Sequence, residues 1–570
     1  MNKKGFTLIE LLAVIVILAI IALIATPIIL SMINNARKSA AKSSAYGYVQ
    51  AIDNNIGFAD AEVEGYTKIN DGTYNVSSLN VVMKGKKPDS GKVKIQTKKV
   101  KNATLCINGY TVTYDGHEAT VGNKCGSENL YKEALLNGAD PIIEGNLVPV
   151  IIENNGTVKK ANVETEWYKY ADKKWANAVV LFDNTSYANG ATIPESNIRE
   201  YFVWIPRYKY KLFNAAGNSN ANIEKPIDIV FENNGTTASN GTTNGEYLTH
   251  PAFTNFGSNG IWVGKFETSY NENTYTNSST FLTSNPNTSS ATNGANIIIK
   301  PNVRSLTNKN VSTLYNLSIE ANSDLNSHMM TNMEWGAAAY LTYSIYGRCT
   351  STTCTEVTIN NVNTGYGTTS GATATYTGQW KSGTTITGCA ANSIQEAQNS
   401  NVGSCTNSYN STNGYLASTT GNISGIYDMS GGNWEYVMGV IKYSDGKAYS
   451  GNNASSNSGF NGKYGNAAGY KTNGQVLPNI KYYNLYTANS TEQGNDTYNV
   501  YIHGMLGDAT KEVAGGGAWF SDYARFAAAV SPWFTRGGAW SDGALAGVMP
   551  FHRDDGGAHS YCGSRLVLAY

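Results

Sequence analysis

The sequence predicts an α+β protein, on three observations. An apolar run near the start leads into a polar helical surface, which reads as one long helix. The stretch after it alternates apolar and polar residues between turn residues, as strands do. The long remainder sets aromatic, strand-like blocks among connections rich in Gly, Asn, Ser and Thr. Charged residues are only 15% of the 570 and the formal net charge is +0, against about 25% charged in a typical soluble chain. That balance does not favour nucleic acid as a partner. It suits a loop-rich β protein with many turns.

The helix is expected over residues 6–55. The run from Leu11 to Ile33 is long enough to span a bilayer, which takes about 20 apolar residues. Lys3 and Lys4 favour the cytoplasmic side for the start, and no A-x-A site follows a short apolar core. Pro27 removes one helical hydrogen bond. A polar surface begins near Asn34. Glu10 stands alone at the head of the run, and a charge near hydrocarbon costs a few kcal/mol. Cleavage after Gly5 would give Phe6 a free amine able to pair with Glu10 of a neighbouring subunit; a plain anchor would have no need of Glu10. Lys3-Lys4-Gly5-Phe6 with Glu10 resembles the class III signal of type IV prepilins and pseudopilins. That resemblance implies a membrane peptidase that cuts after Gly5 and methylates Phe6, other pilin subunits as partners, a single-pass anchor, the bulk of the chain outside the cell, and possible incorporation in a pilus. Residues 1–5 are then the leader and 6–55 the transmembrane and assembly helix.

Residues 56–126 are expected to form a small β head. VKIQTKKVKNATLCINGYTVTYDGHEATVG carries the alternation. Its basic stretch, Lys84 to Lys101, reads as a solvated face, since it lacks the interleaved aromatics that stack on bases. Six of the seven cysteines fall into sequence-local couples, Cys106 with Cys125, Cys349 with Cys354 and Cys389 with Cys405. Disulfides are expected for an exported chain, although sequence alone does not fix connectivity and free buried thiols are the alternative. Cys562 is left over.

After a linker at 127–139, a second unit is expected over 140–570. It opens on TEWYKYADKKWANAVVLF and YFVWIPRYKYKLF. Polar insertions at 214–247, 271–296 and about 445–480 read as loops. His328 to Arg348 reads as one amphipathic helix. Then come, in order, GIWVGKFETSY (260–270), EWGAAAYLTYSIYG (334–347), GIYDMSGGNWEYVMG (425–439), RGGAW (536–540) and GSRLVL (563–568). Together they resemble the formylglycine-generating-enzyme type of C-type lectin fold. The resemblance implies structural roles for Trp335, Trp434, Arg536, Gly537, Gly538, Trp540 and Arg565. It does not bring catalysis with it. Enzymes of this superfamily use paired cysteines holding copper or a histidine-rich iron site, and here the C-terminal region has Cys562, His503, His552 and His559 without such spacing. No catalytic residue and no resident metal are therefore expected. Calcium is conceivable near Asn433 and Glu435, whose oxygens are hard ligands, in GGNWE where the family carries GNVWE.

The tail has an unusual composition. Asn is 67 of the first 499 residues and is absent from 500–570, and from Val513 onward Lys, Glu and Gln are absent too. PFHRDDGGAHSYC, Pro550 to Cys562, contains only residues reachable by randomising the adenines of Asn codons. This resembles the variable proteins of diversity-generating retroelements, with a variable region of about 515–565. The alternative is an ordinary compact strand pair. On the first reading Ser541, Asp542, Ala544, Leu545, Pro550, His552, Arg553, Asp554, Asp555, Gly557, His559, Ser560 and Tyr561 form an exposed ligand site. Phe520, Asp522, Tyr523 and Arg525 flank it, Trp540, Val548, Arg565 and Leu566 hold the scaffold, and Cys562 is a sampled surface residue. The function expected is a surface adhesin or receptor-binding pilin for an unknown protein or glycan. An extracytoplasmic oxidoreductase, or a minor pseudopilin of a secretion or DNA-uptake machine, is the alternative.

Overall fold

The computed structural model describes residues 36–79, 81–83, 86–124, 131–183, 185–217, 224–271, 293–362, 385–394, 396, 405–443, 458–459, 471–472, 475–488, 503–515, 517–528 and 531–569. Gly5, Phe6, Glu10, the apolar run and Cys125 lie outside them, as do most of the insertions at 271–296 and 445–480. The chain divides into two compact units, Met1–Ser127 and Glu128–Tyr570.

In the first unit a helix covers 36–60 of the described residues. Ala41, Ala45, Tyr48, Val49, Ile52 and Ile56 bury one stripe of it against Val93, Ile95, Leu105, Ile107 and Val112. Spacings of three and four residues place them on one face. The helix runs past the expected end at 55 because Ile56 and Ala59 continue that stripe. The sheet has five antiparallel strands in chain order, Gly72–Asn75, Ser90–Gln96, Lys99–Ile107, Tyr110–Tyr114 and Ala119–Lys124. Thr97 and Lys98 turn between two of them at φ 53° and 59°, the left-handed pair that matches strand twist. The Asp71 carboxylate accepts both of their N–H groups, at 2.7 and 3.0 Å. Lys92, Lys94, Lys99 and Lys101 are exposed. Cys106 is disulfide-bonded.

The second unit is built on an eight-stranded sheet. Its order is Ser327–Met329, Leu566–Ala569, Gly260–Gly264, Ile198–Pro206, Asn177–Leu181, Leu147–Ile152, Val158–Lys160 and Thr192–Ile193. A second sheet joins Asn484–Ala488, Trp434–Tyr443, Trp533–Arg536 and Phe551–Asp554, with Cys562–Ser564 also paired to Trp434–Tyr443. Three expectations need correction. The linker does not extend to 139: Leu136 and Ala139 are fully buried in this unit, and Asn137 donates to the Phe231 carbonyl. The insertion at 214–247 is not all loop, because Ile229–Phe231 and Tyr247–Thr249 flank Tyr208–Lys211 in a small sheet. The stretch 328–348 is not one amphipathic helix. His328 lies on a strand, and the helix is Asn332–Thr342, buried on every side. Thr331 and Glu334 form a reciprocal cap that starts it. It is covered on the Gly336 side so closely that a Cβ there would lie 1.9 Å from the Gly507 carbonyl oxygen.

The predicted couples Cys349–Cys354 and Cys389–Cys405 are bridged, and Cys562 is free. Cys562 is fully buried, which corrects the expectation of a surface residue: it pairs with Trp434 inside the second sheet. Arg565 and Glu435 form an ion pair with both side chains at 0% exposure. Arg565 donates to both Glu435 carboxylate oxygens, at 3.0 and 2.5 Å, and to the Gly264 carbonyl at 2.8 Å. It thereby ties the second sheet to the first. Arg536, equally buried, donates to the Asp508 and Ala509 carbonyls and to Asn332. Trp335, Trp434 and Trp540 are core residues.

Candidate functional site

The site grows from one hairpin. Trp533–Arg536 pairs antiparallel with Phe551–Asp554, setting Thr535 opposite His552 and Trp533 opposite Asp554. The chain leaves the sheet at Asp554, crosses 555–561 and returns as Cys562–Ser564 beside Trp434. Gly556 makes the turn possible: its φ is +84°, and a Cβ there would lie 2.5 Å from the Trp533 ring. Val311 and Asn308 donate to the Gly556 and His559 carbonyls, at 3.1 and 2.8 Å, and hold the crossing loop.

Between the hairpin and this loop lies a pocket of about 370 Å³, lined by Trp434, Arg525, Ser531, Thr535, His552, Arg553, Asp554, Asp555, His559 and Tyr561. Its volume falls in the ordinary range for small-ligand sites. Two histidines on its wall differ sharply. His559 Nε2 lies 2.9 Å from Asp555 Oδ1 and 3.2 Å from Asp554 Oδ1. Hydrogen bonds to Asp554 and Asp555 raise it to about 10, so it is cationic at neutral pH. His552 is pushed down to about 3 by burial and by Arg525 and Arg553. It is a neutral ring between Trp434 and Tyr523, with centroids 5.4 and 5.1 Å away. The Tyr561 ring stacks on His559 at 5.1 Å and 12°. The Tyr436 hydroxyl donates to Asp554, and the Gly556 and Gly557 N–H groups donate to Asp554 and Asp555 at 3.1 and 2.8 Å. The loop carboxylates are thus positioned from both sides. Ligand atoms of Asp554, Asp555 and His559 lie within 4.8 Å of one another, close enough to hold a metal ion.

The pairing has a measurable consequence. His559 should titrate near pH 10 by NMR, and Asp555→Asn should bring it down. Because the folded value lies above that of the unfolded chain, the pairing contributes fully below about pH 6.5. Its contribution fades as pH rises through about 10. A His559 signal titrating near 6.5 would contradict this geometry.

Of the expected ligand residues, the pocket gathers His552, Arg553, Asp554, Asp555, His559 and Tyr561, with Arg525 from the expected flank. Ser541, Asp542, Ala544, Leu545 and Pro550 are not on its wall. Several are not exposed either. Pro550, Gly557 and Ser541 are buried, and so is His552. The segment 539–550 lies against the core through Trp540, Val548 and Met549. There Asp542 accepts the Ala539 N–H at 2.8 Å, and its carboxyl rises to about 6 through burial. Asp522 is likewise inside, bonded to the Met549 N–H, and not at a rim. Ser560 is half-buried on the crossing loop. Sequence reasoning missed Ser531, Thr535 and the pocket-facing side of Trp434. Thr535 and Trp434 reach the site only through strand register, and no local pattern announces it. Away from the pocket, Glu435 is held by Arg565, and Asn433 donates to Glu267, Ser305 and Thr385.

Residues 1–26 match the prokaryotic N-terminal methylation motif. The chain therefore carries a type IV pilin-like N-terminus. No curated protein matches the chain at a significant level. Among the described residues no helix is long and apolar enough to cross a membrane, and the run Leu11–Ile33 is not among those residues.

Proposed function

We propose that this protein is a membrane-anchored, pilin-like adhesin or receptor-binding subunit whose second unit presents a small-ligand pocket near its end. The observation that carries the reading is the convergence of His552, Arg553, Asp554, Asp555, His559 and Tyr561 on one pocket. These residues come from the Asn-free tail, and the methylation motif supplies the anchoring half of the reading. The resemblance of the second unit to C-type-lectin-fold variable proteins supports a scaffold that tolerates change at such positions. Arg and Tyr are over-represented among residues that dominate binding energy, so Arg553 and Tyr561 are the natural anchors.

The test is the triple substitution Arg553→Ala, Asp555→Ala and Tyr561→Ala in the full-length, surface-displayed protein. Attachment of cells to their target surface should be lost. The second unit should stay folded with a lowered melting temperature, since the substitutions remove the Asp555 pairing and the Tyr561 stacking on His559 but leave the buried core intact. Unchanged attachment, or an unfolded second unit, would remove the adhesin reading. A defect in secretion or DNA uptake with attachment intact would favour a pseudopilin of a transport machine.

A further inference from the structure

The first unit turns a one-signed face to solvent. None of its five strands contains an aspartate or a glutamate, yet they carry Lys92, Lys94, Lys99 and Lys101, all exposed. Alternation along Ser90–Gln96 buries Val93 and Ile95 in the core and sends Lys92 and Lys94 to the opposite side. A register shift beside Lys94 leaves Lys101 and Asn102 both exposed on the next strand. Residues two apart on a strand are separated by about 7 Å and adjacent strands by about 5 Å, so the four lysines share one patch. The salt bridges of this unit use other lysines: Lys42 with Glu118, Lys86 with Asp89 and Lys98 with Asp60. Asp71 and Asp115, in the turns, accept backbone N–H groups. Cross-strand register sets Asn75 and Thr104 on either side of Lys92, and Asn102 beside Lys94. Their amides and hydroxyls can donate and accept. The strand tyrosines, Tyr74, Tyr110 and Tyr114, pack on the core side. Among the described residues the outer face therefore offers no ring for a nucleic-acid base to stack on and no apolar side chain to enter a bilayer.

We propose that this face binds a flexible polyol-phosphate chain, of which poly(glycerol phosphate) is the simplest: the lysines meet its phosphodiesters, and the Asn and Thr side chains between them meet its hydroxyls. Lysine acts on phosphate as a point charge, whereas the planar fork that selects carboxylates belongs to arginine, and the five strands contain no arginine. The surface goes beyond the pocket of the second unit and does not depend on it.

The experiment uses full-length protein in non-ionic detergent and a fluorescently labelled short poly(glycerol phosphate), followed by anisotropy. An oligothymidylate with the same number of phosphates and vesicles containing phosphatidylglycerol are the comparison probes. Plotted against log salt concentration, log Kd should rise with a slope of about 3–4, the value for four neutralised phosphates. That slope tests the face without any substitution. Lys92→Gln with Lys94→Gln, and separately Lys99→Gln with Lys101→Gln, should each weaken binding at least tenfold at low salt and cut the slope by about half. Lys42→Gln with Lys86→Gln removes the same charge from lysines already paired with Glu118 and Asp89, and should change binding less than twofold. The polymer should bind at least threefold more tightly than the oligothymidylate, whose bases find nothing to stack on. A slope under about 1, equal losses in the face and control variants, or oligothymidylate binding as tight as the polymer would overturn the proposal. So would lysine-dependent binding to the vesicles without binding to the polymer. Polymer binding lost in the Arg553, Asp555 and Tyr561 triple variant would move the polymer to the pocket and overturn the proposal for this face.

Discussion

Arg565→Met is expected to destabilise the second unit by about 3–5 kcal/mol, because removing one partner strands a buried charge. Glu435 keeps 0% exposure and loses the guanidinium that meets both its oxygens. Burial already raises the Glu435 carboxyl to about 7, and Arg565 is the main influence opposing that rise. A carboxyl raised in the folded state binds protons more tightly there than in the unfolded chain. Its cost is therefore small below the unfolded value of about 4.3 and grows as pH rises through the folded value. The variant should consequently lose much more stability at pH 8 than at pH 5. Adding Glu435→Leu should restore part of the loss by removing the stranded charge. Denaturant unfolding at the two pH values checks this, and a loss under 1 kcal/mol that does not vary with pH would contradict it.

Glu10→Val should leave processing intact and sharply reduce incorporation into polymers. The methylation motif covers both the expected cleavage point and Glu10, and the Phe6 amine would lose the carboxylate it is expected to meet in a neighbouring subunit. Mass analysis of membrane-derived protein should find Phe6 at the new N-terminus, methylated, in wild type and variant alike. An intact Met1 in the wild type would refute cleavage after Gly5, and normal assembly of the variant would refute the pairing role.

What could be read beforehand, and what could not, follows from the range of the forces involved. The strands of the first unit were legible because Val93, Ile95, Leu105, Ile107 and Val112 alternate with polar neighbours, and one face alone is buried. The pairings Cys349–Cys354 and Cys389–Cys405 were legible because their partners are close in sequence. Helix Asn332–Thr342 was misjudged in length and kind. Its coverage comes from Asp508, Val548 and other distant residues, so its composition carried no polar face to mark its orientation. The candidate site was legible where it coincides with one continuous run, His552 to Tyr561. It was not legible where the chain folds back: Pro550 and Asp522 look like loop residues, yet they lie inside, because Trp540, Val548 and Met549 anchor the segment that carries Pro550 and the Met549 N–H bonds to Asp522. Cys562 shows the limit most sharply. An unpaired cysteine in a polar run suggested exposure, and only the parallel pairing with Trp434 puts it in the interior.

Strand Leu566–Ala569 sits between Ser327–Met329 and Gly260–Gly264, one place in from the edge of the larger sheet and paired on both sides. Contacts this distant in sequence form late and slowly. A nascent chain that ends before residue 566 holds two strand edges open, with nothing to fill the gap. A frameshift or stop anywhere between 541 and 561 would delete the filler and leave an aggregation-prone fragment for proteolysis. The segment that follows the pocket loop thus makes completion of the larger sheet depend on Leu566–Ala569.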